Sequence, residues 1–431
     1  MRATYVLLSA AVLMTACDSN EEDTLSGEVD SLARQVAVLQ EQIAVCTALV
    51  GDSAEDSASI LEVVQAQQEQ IEENTWAIQE VTTSLSQAFS QMDGVEEQLE
   101  RMDTRVSMVQ GKSIDTPTVW TVGGSPFDVY SSLTEAMEAA RSVTIHPKGS
   151  LSIQVAPGVY SHTETLSLNH PDGERITIEG VPEDPGAVVL EFKGSMSASV
   201  HLSDGHSLAG FHGFTLRGDG VSTTNGLVVD WGALGTMGDL IVESFASNGI
   251  MAGRNATLSL DPDSVVVREN GGHGIKAYYG ALIYAPGVVS EDNRYSGVIA
   301  SLGAIAVVKN GRFENNDHSG ALAHYDALTV AHNSTSQYNG AYGFYAYGNS
   351  MLYALSLDGD RTVSANNGSD GFFSHSSMIR GNGARIHNNN GYGARLSYQG
   401  YLDIRDFTGN GGKSGVSWTG GLSDINASLL R

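Results

Sequence analysis

One glycine repeats through the C-terminal half of the chain and constrains the fold more than any other feature. It stands before an apolar strand at Gly226, Gly249, Gly274, Gly297, Gly320, Gly343, Gly371, Gly393 and Gly415, at steps of 22 to 28 residues. A period in that range means stacked supersecondary units that share one continuous core. One residue after the glycine lie Leu227, Ile250, Ile275, Val298, Ala321, Phe344, Phe372, Ala394 and Val416. Two further on the residues are mostly small: Ala252, Ala277, Ala300, Ala323 and Ala346 among them. That alternation marks a strand with one face inward, and the small residues suit a narrow interior. Four residues before the glycine stand Asn270, Asn293, Asn316, Asn339, Asn367 and Asn389. Stacked amides there are expected to form a structural ladder that satisfies a tight turn, because Asn tolerates the left-handed backbone.

The start of this region carries a second pattern. Leu133, Met137 and Ala140 share one face of a short amphipathic helix. Leu151-Ser152-Ile153-Gln154-Val155 alternates like a strand and stops at Ala156-Pro157-Gly158-Val159-Tyr160, and Ile176-Thr177-Ile178-Glu179-Gly180 follows as another strand. This order of helix, strand, Pro-Gly-x-Tyr turn and Ile-x-Ile-x-Gly resembles the N-terminal end of the pectin-lyase-like superfamily, phage tailspikes included. The resemblance implies a mainly β chain with a right-handed parallel β-helix over 127–431 and an N-terminal capping helix.

Upstream, a heptad seam runs unbroken from Leu25 to Val109, with spacings alternating four and three. A seam of period 3.5 over that length predicts a coiled-coil stalk over 25–110, followed by a linker over 111–126. β-Branched residues at both core positions (Ile60, Val81 and Val95 at d, Val and Ile at most a sites) favour three strands, so a homotrimer is expected, with dimer and tetramer as the alternatives. Asn74 lies at a d position in Ile71-Glu72-Glu73-Asn74-Thr75-Trp76-Ala77-Ile78. This resembles the Val-x-x-Asn-Thr-x-x-Leu motif of trimeric autotransporter stalks, which implies an anion held by Asn74; otherwise Asn74 only fixes the register.

The first sixteen residues read as an export signal, with Arg2 before a short apolar run. Leu13-Met14-Thr15-Ala16-Cys17 resembles a bacterial lipobox, which implies acylation of Cys17 and a lipidated linker over 17–24. The expected location is the cell envelope. The outer membrane or cell surface is favoured, and Asp18 leaves the periplasmic face of the inner membrane open. Cys46 is the only other cysteine, so no disulfide framework is expected. The net charge of −27, with 20 acidic and 4 basic residues between Asp18 and Lys112, argues against nucleic-acid partners.

No assembled catalytic motif stands out. Gly272-His273-Gly274 resembles the Gly-His-Gly of polygalacturonases, but the other motifs of those enzymes are missing and Gly274 belongs to the repeat. Glycoside hydrolysis needs two facing carboxylates, and Asp230 is the only acidic residue in the outward strand columns. No cofactor or metal site is expected apart from a Ca²⁺ candidate at Asp358 and Asp360. The outward columns form an apolar and aromatic stripe, read either as a trimer interface or as a carbohydrate surface of Tyr278, His324, Tyr345, Tyr347 and Phe373, with cover by loops as a third reading. The leading expectation is a lipid-anchored trimeric binding, adhesive or structural protein, directed at glycans or a surface protein. The alternative is a polysaccharide lyase or glycoside hydrolase of the pectin-lyase-like class.

Overall fold

The computed structural model describes residues 113–123, 128–357, 359–398 and 400–404, the backbone of Lys413–Thr419, and three helical positions further upstream, Thr75, Gln79 and Thr83. Two units are distinguished, Met1–Glu100 and Arg101–Arg431. In the first, the Thr83 hydroxyl donates to the Gln79 carbonyl at 2.9 Å. Cys17, Asp18, Asn74 and the seam positions lie outside the described residues.

The second unit is a parallel β-helix. Among the described residues each coil from Gly249 to His387 contributes three short strands, and each strand pairs in parallel with its counterpart one coil away. The first face stacks Leu227–Val229, Ile250–Ala252, Ile275–Tyr278, Val298–Ser301, Ala321–His324, Phe344–Tyr347, Phe372–His375 and Tyr392–Ser397. The second includes Thr257–Leu260, Leu282–Tyr284, Ile305–Val307, Leu328–Val330 and Met351–Tyr353, and the third Val265–Arg268, Val289–Glu291, Arg312–Glu314 and Thr335–Gln337. In the early coils Ser207–Arg217 and Leu234–Glu243 run straight through the corner between the second and third faces.

The glycine and alanine columns follow from this stacking. Ile250, Ile275, Val298, Ala321, Phe344 and Phe372 are fully buried, as are Ala252, Ala277, Ala300, Ala323 and Ala346. At Gly297 a Cβ would sit 2.8 Å from the Gly320 carbonyl and 2.9 Å from the Asn316 amide nitrogen, so the next coil leaves room only for hydrogen. The amides of Asn270, Asn293, Asn316, Asn339 and Asn367 each donate to the side-chain oxygen of the next asparagine, at 2.8–3.0 Å, and the last acceptor is Asn389. The same oxygens accept the preceding asparagine's backbone N–H, and Asn270 takes that of Phe245 at 3.1 Å. Phe245, standing where the next rung would be, ends the ladder.

The helix Leu133–Ala140 buries Leu133, Ala136, Met137 and Ala140. Its first turn is capped by the Ser132 hydroxyl, which accepts the Glu135 N–H at 3.2 Å. One boundary moves. The stretch 111–126, expected to be a linker, contains the strand Pro117–Val122, paired along its length with Ser150–Val155. Pro117 opens an edge strand, where a missing N–H costs nothing, and Trp120 and Val122 fill the first layer of the core.

The third face is charged. The Glu243 carboxylate, 8% exposed, accepts from Arg217 at 2.8 Å and from Arg268 at 2.8 and 3.0 Å. Burial alone pushes its carboxyl up, but hydrogen bonds from the two guanidinium groups outweigh it and hold it below the ordinary value. Glu243→Gln is therefore expected to cost about 2 kcal/mol at pH 7. A carboxylate depressed by folding stabilises above its unfolded pKa near 4 and loses that contribution as pH falls through the folded value. Chemical denaturation at pH 7 and pH 3 should show the gap closing at the lower pH; a constant gap would refute the assignment.

Candidate functional site

Three corners close each coil, and each uses left-handed backbone. Between the second and third faces the residues are Asp263, Gly287, Asn310, Asn333 and Gly383, and the corner before the ladder includes Asp292, Asn315, Asn366 and Asn388. Gly, Asn and Asp adopt this conformation at little cost. The corner before the ladder also takes Ser244, Glu269 and the exposed Tyr338, but in the corner after the first face bulky residues predominate. From Trp231 to Asn349 two successive residues there are left-handed, and the second follows the rule: Gly232, Asn255, Gly280, Gly303, Asp326 and Asn349. The first is Trp231, Arg254, Tyr279, Leu302, Tyr325, Gly348, Ser376 and Tyr398 in successive coils. Each bulky residue in this backbone costs of order 1 kcal/mol, and Trp231, Tyr279, Tyr325 and Tyr398 are 57, 54, 45 and 63% exposed, so burial does not offset that cost. Strain retained at exposed aromatics along one edge points to a surface that something else covers.

The first face itself is lined with rings. In one outward column His324, Tyr347 and His375 stack at 5.2 and 4.9 Å, with Tyr325 4.0 Å from His324 and Tyr398 4.6 Å from His375. In the other, Tyr345 lies parallel to Phe373 at 5.1 Å. The expected stripe is corrected here. Val228, Ile299, Leu322 and Phe373 are only 3 to 6% exposed within a single chain, and so are not free for an interface or for stacking. For Phe373 the cover is visible: Tyr342 packs against it at 5.0 Å and the Arg395 guanidinium lies 4.8 Å over its ring. Tyr342, directly before the repeat Gly343, thus folds over this part of the first outward column. Tyr278, His324, Tyr345 and Tyr347 keep partial exposure. Burial, with Tyr342 beside it, lifts the Tyr345 hydroxyl to about 12, so it stays a neutral hydrogen-bonding group.

His273 sits beneath Tyr295 at 5.4 Å, its Nδ1 accepting the Ser296 N–H at 3.2 Å. Burial, then the nearby Lys276 charge, lowers its pKa to about 4, so the ring is neutral in the fold. Between pH 6.5 and 4 the unfolded chain binds the proton and the folded chain does not, so stability falls as pH drops through that window, by roughly 2 kcal/mol after allowing for partial exposure. His273→Gln should flatten this part of a stability–pH profile; an unchanged slope would contradict the reading.

One cluster of chemically versatile groups stands at the N-terminal part of this face. Asp230, 4% exposed, accepts the Trp231 N–H at 2.9 Å and pairs with Arg254. The Arg254 guanidinium lies 4.4 Å over the Trp231 ring and 5.9 Å from that of Tyr278. Asp230, Gly253 and Tyr278 follow one another in one outward column. A Cβ at Gly253 would collide with the Tyr278 ring, so the missing side chain lets the tyrosine lie toward Asp230 and Arg254. Lys276 reaches to 5.5 Å from the same ring, and no carboxylate pairs with it among the described residues. Burial lowers its pKa and that of His201, and raises that of Tyr278.

Of the residues read from sequence, His324, Tyr345, Tyr347 and Phe373 belong to one patch, and Tyr278 to this separate cluster. Asp358 lies outside the described residues and Asp360 is exposed. Among the described residues no three His, Cys, Asp or Glu side chains gather as metal ligands. Trp231, Arg254, Tyr279, Tyr325 and Tyr398 escaped sequence reading; only at Trp231, Tyr279 and Tyr325 does an aromatic followed by Gly or Asp stand five residues after the repeat glycine.

No protein-family model and no curated protein matches the chain. Similar solved structures include the A-module of the mannuronan C-5 epimerase AlgE4 of Azotobacter vinelandii, at 14% identity over 69% of this chain and 95% of that one, TM-score 0.49. The catalytic unit of a GH87 α-1,3-glucanase from Streptomyces thermodiastaticus is 13% identical over 70% and 67%, TM-score 0.37. The periplasmic alginate epimerase AlgG is 11% identical over 74% and 69%, TM-score 0.31.

Proposed function

We propose that the β-helix binds an extended polysaccharide along its first face, with sugar rings stacking on Trp231, Tyr279, Tyr325 and Tyr398. The observation that carries this reading is the contrast within one corner: bulky exposed rings at its first left-handed position, Gly, Asn or Asp at its second. Amphipathic rings set two or three coils apart give a row of apolar platforms edged by hydroxyl and imidazole donors, which suits a chain of repeating sugars. Lys276 and Arg254 favour a sugar that carries a carboxylate. Titrating the full chain in detergent with linear uronic-acid and neutral oligosaccharides, read by Trp231 emission, tests it. Tyr279→Ala and Tyr325→Ala should each weaken binding by about fivefold, on the order of 1 kcal/mol; unaltered affinity in both would refute the site.

A second reading follows from Lys276 and Tyr278. A lysine whose pKa is lowered by burial carries a larger deprotonated fraction near neutral pH and so can act as a base, and a neutral tyrosine beside it is a proton donor. With Arg254 neutralising the sugar carboxylate, Lys276 would remove the proton on the adjacent carbon, and the electron pair would either expel the glycosidic oxygen or be reprotonated from the other face. This is the chemistry of a carbohydrate-active lyase or epimerase, and not of a two-carboxylate hydrolase. Ultraviolet-absorbing unsaturated ends, or exchange of that proton with solvent deuterium, lost in Lys276→Ala, would support it; neither signal from any acidic glycan would exclude it.

On the sequence side, Cys17 acylation, export to the envelope and a trimeric stalk over 25–110 complete the proposed organisation. Among the described residues no helix is long and apolar enough to cross a membrane. A lipid anchor and a rod would hold the glycan-binding head away from the bilayer.

A further inference from the structure

We infer that the second face of the β-helix is where copies of this chain meet one another. Its outward positions hold Leu282, Ile305, Leu328 and Met351 in one column and Tyr284 and Val307 in the next, in register along successive coils. From Leu234 to Tyr353 no outward position of this face is charged. The third face of the same coils carries ion pairs instead, Arg217–Glu243–Arg268 and Glu291–Arg312–Glu314. Tyr284, Ile305 and Met351 are 44, 37 and 39% exposed, so the described residues leave this strip uncovered. It is a different surface from the aromatic face, whose first column the chain covers by itself.

The occupant follows from size and tethering. Coils about 4.8 Å apart give a strip roughly 25 Å long, some 300 Å² in area. A free-standing interface needs about 800 Å² from each partner. Such a strip is too small to hold independent molecules together, and large enough to matter between molecules already held together. The heptad seam ends at Val109, only a few residues before the first strand at Ser113, so copies joined through the seam would bring their heads to roughly millimolar effective concentration. The inference rests on that proposed seam and is independent of the glycan site.

Parallel copies around one axis bring the same residue of each copy to that axis. The test uses the full chain in detergent with Cys46→Ser as background, Ile305→Cys as probe and Arg312→Cys, on the third face, as control. Mild oxidation should cross-link Ile305→Cys in more than half of the molecules, with a yield unchanged on tenfold dilution, and leave the background and Arg312→Cys below a tenth. Light scattering on the same samples reads the seam separately. An oligomeric mass without the Ile305→Cys cross-link overturns the interface alone, as does equal cross-linking of Arg312→Cys. A monomeric mass overturns the seam and the interface together, and neither result touches glycan titration. Cross-linking that disappears on dilution means random collision and also overturns it.

Discussion

Asn316→Ala is expected to destabilise the β-helix by about 4 kcal/mol. Asn316 is fully buried, and four partners depend on it. Its amide donates to the Asn339 side-chain oxygen and to the Ser290 carbonyl, both at 3.0 Å, and its oxygen accepts the Asn293 side-chain amide at 3.0 Å and backbone N–H at 3.1 Å. Truncation leaves those groups in a dry interior, where each costs about 1–3 kcal/mol before relaxation. The loss is local to two coil junctions, and a solenoid held together by nearest-neighbour contacts transmits it as a break in cooperativity. Urea denaturation should show a lower midpoint and a broader transition. Asn349→Ala, which removes an exposed amide bond to Asp326 at 2.6 Å and puts alanine in left-handed backbone, should cost only about 1 kcal/mol. A cost below 1 kcal/mol for Asn316→Ala would mean that water replaces the rung and the ladder is not a stabilising device.

What could be read from the sequence was whatever every coil must solve in the same way. Gly297 and Asn316 recur because the next coil approaches to within contact distance at one point and a turn must be satisfied at another, and both requirements repeat with the coil. The left-handed corner after the first face recurs in position and not in residue type. Trp231, Arg254, Tyr279, Leu302 and Tyr325 share a left-handed conformation but no chemistry, so no column of identical letters exposes them. The outward stripe failed for a related reason. Alternation shows correctly that Phe373 and Ile299 point away from the core, but it carries no information on Tyr342 or Arg395 lying across the strand. The strand Pro117–Val122 was obscured because proline argues against strands in general, whereas its cost depends on which edge it occupies. Gly253 stands in an outward position of the strand repeat, and its meaning depends on a tyrosine one coil later.

The Asp230–Arg254 pair separates structure from recognition. Arg254→Ala strands a carboxylate whose side chain is 6% exposed and that keeps the Trp231 N–H at 2.9 Å, so a loss of about 3 kcal/mol is expected. Trp231 emission should change even without ligand, because the guanidinium 4.4 Å over its ring is gone. Adding Asp230→Asn removes the stranded charge, and the double variant should recover most of the stability lost. Affinity for an acidic oligosaccharide should not recover, because the cation that meets its carboxylate is still missing; a drop of at least tenfold is expected in both variants. Neutral oligosaccharides, held by stacking, should lose far less. If the double variant regains acidic-glycan affinity along with stability, Arg254 serves only to neutralise Asp230, and the preference for a carboxylated sugar must be assigned to Lys276 alone. If stability does not return, Asp230 is held by more than its charge pair, and the Gly253 gap that admits Tyr278 is the place to look, since Gly253→Ala displaces the ring without altering any charge.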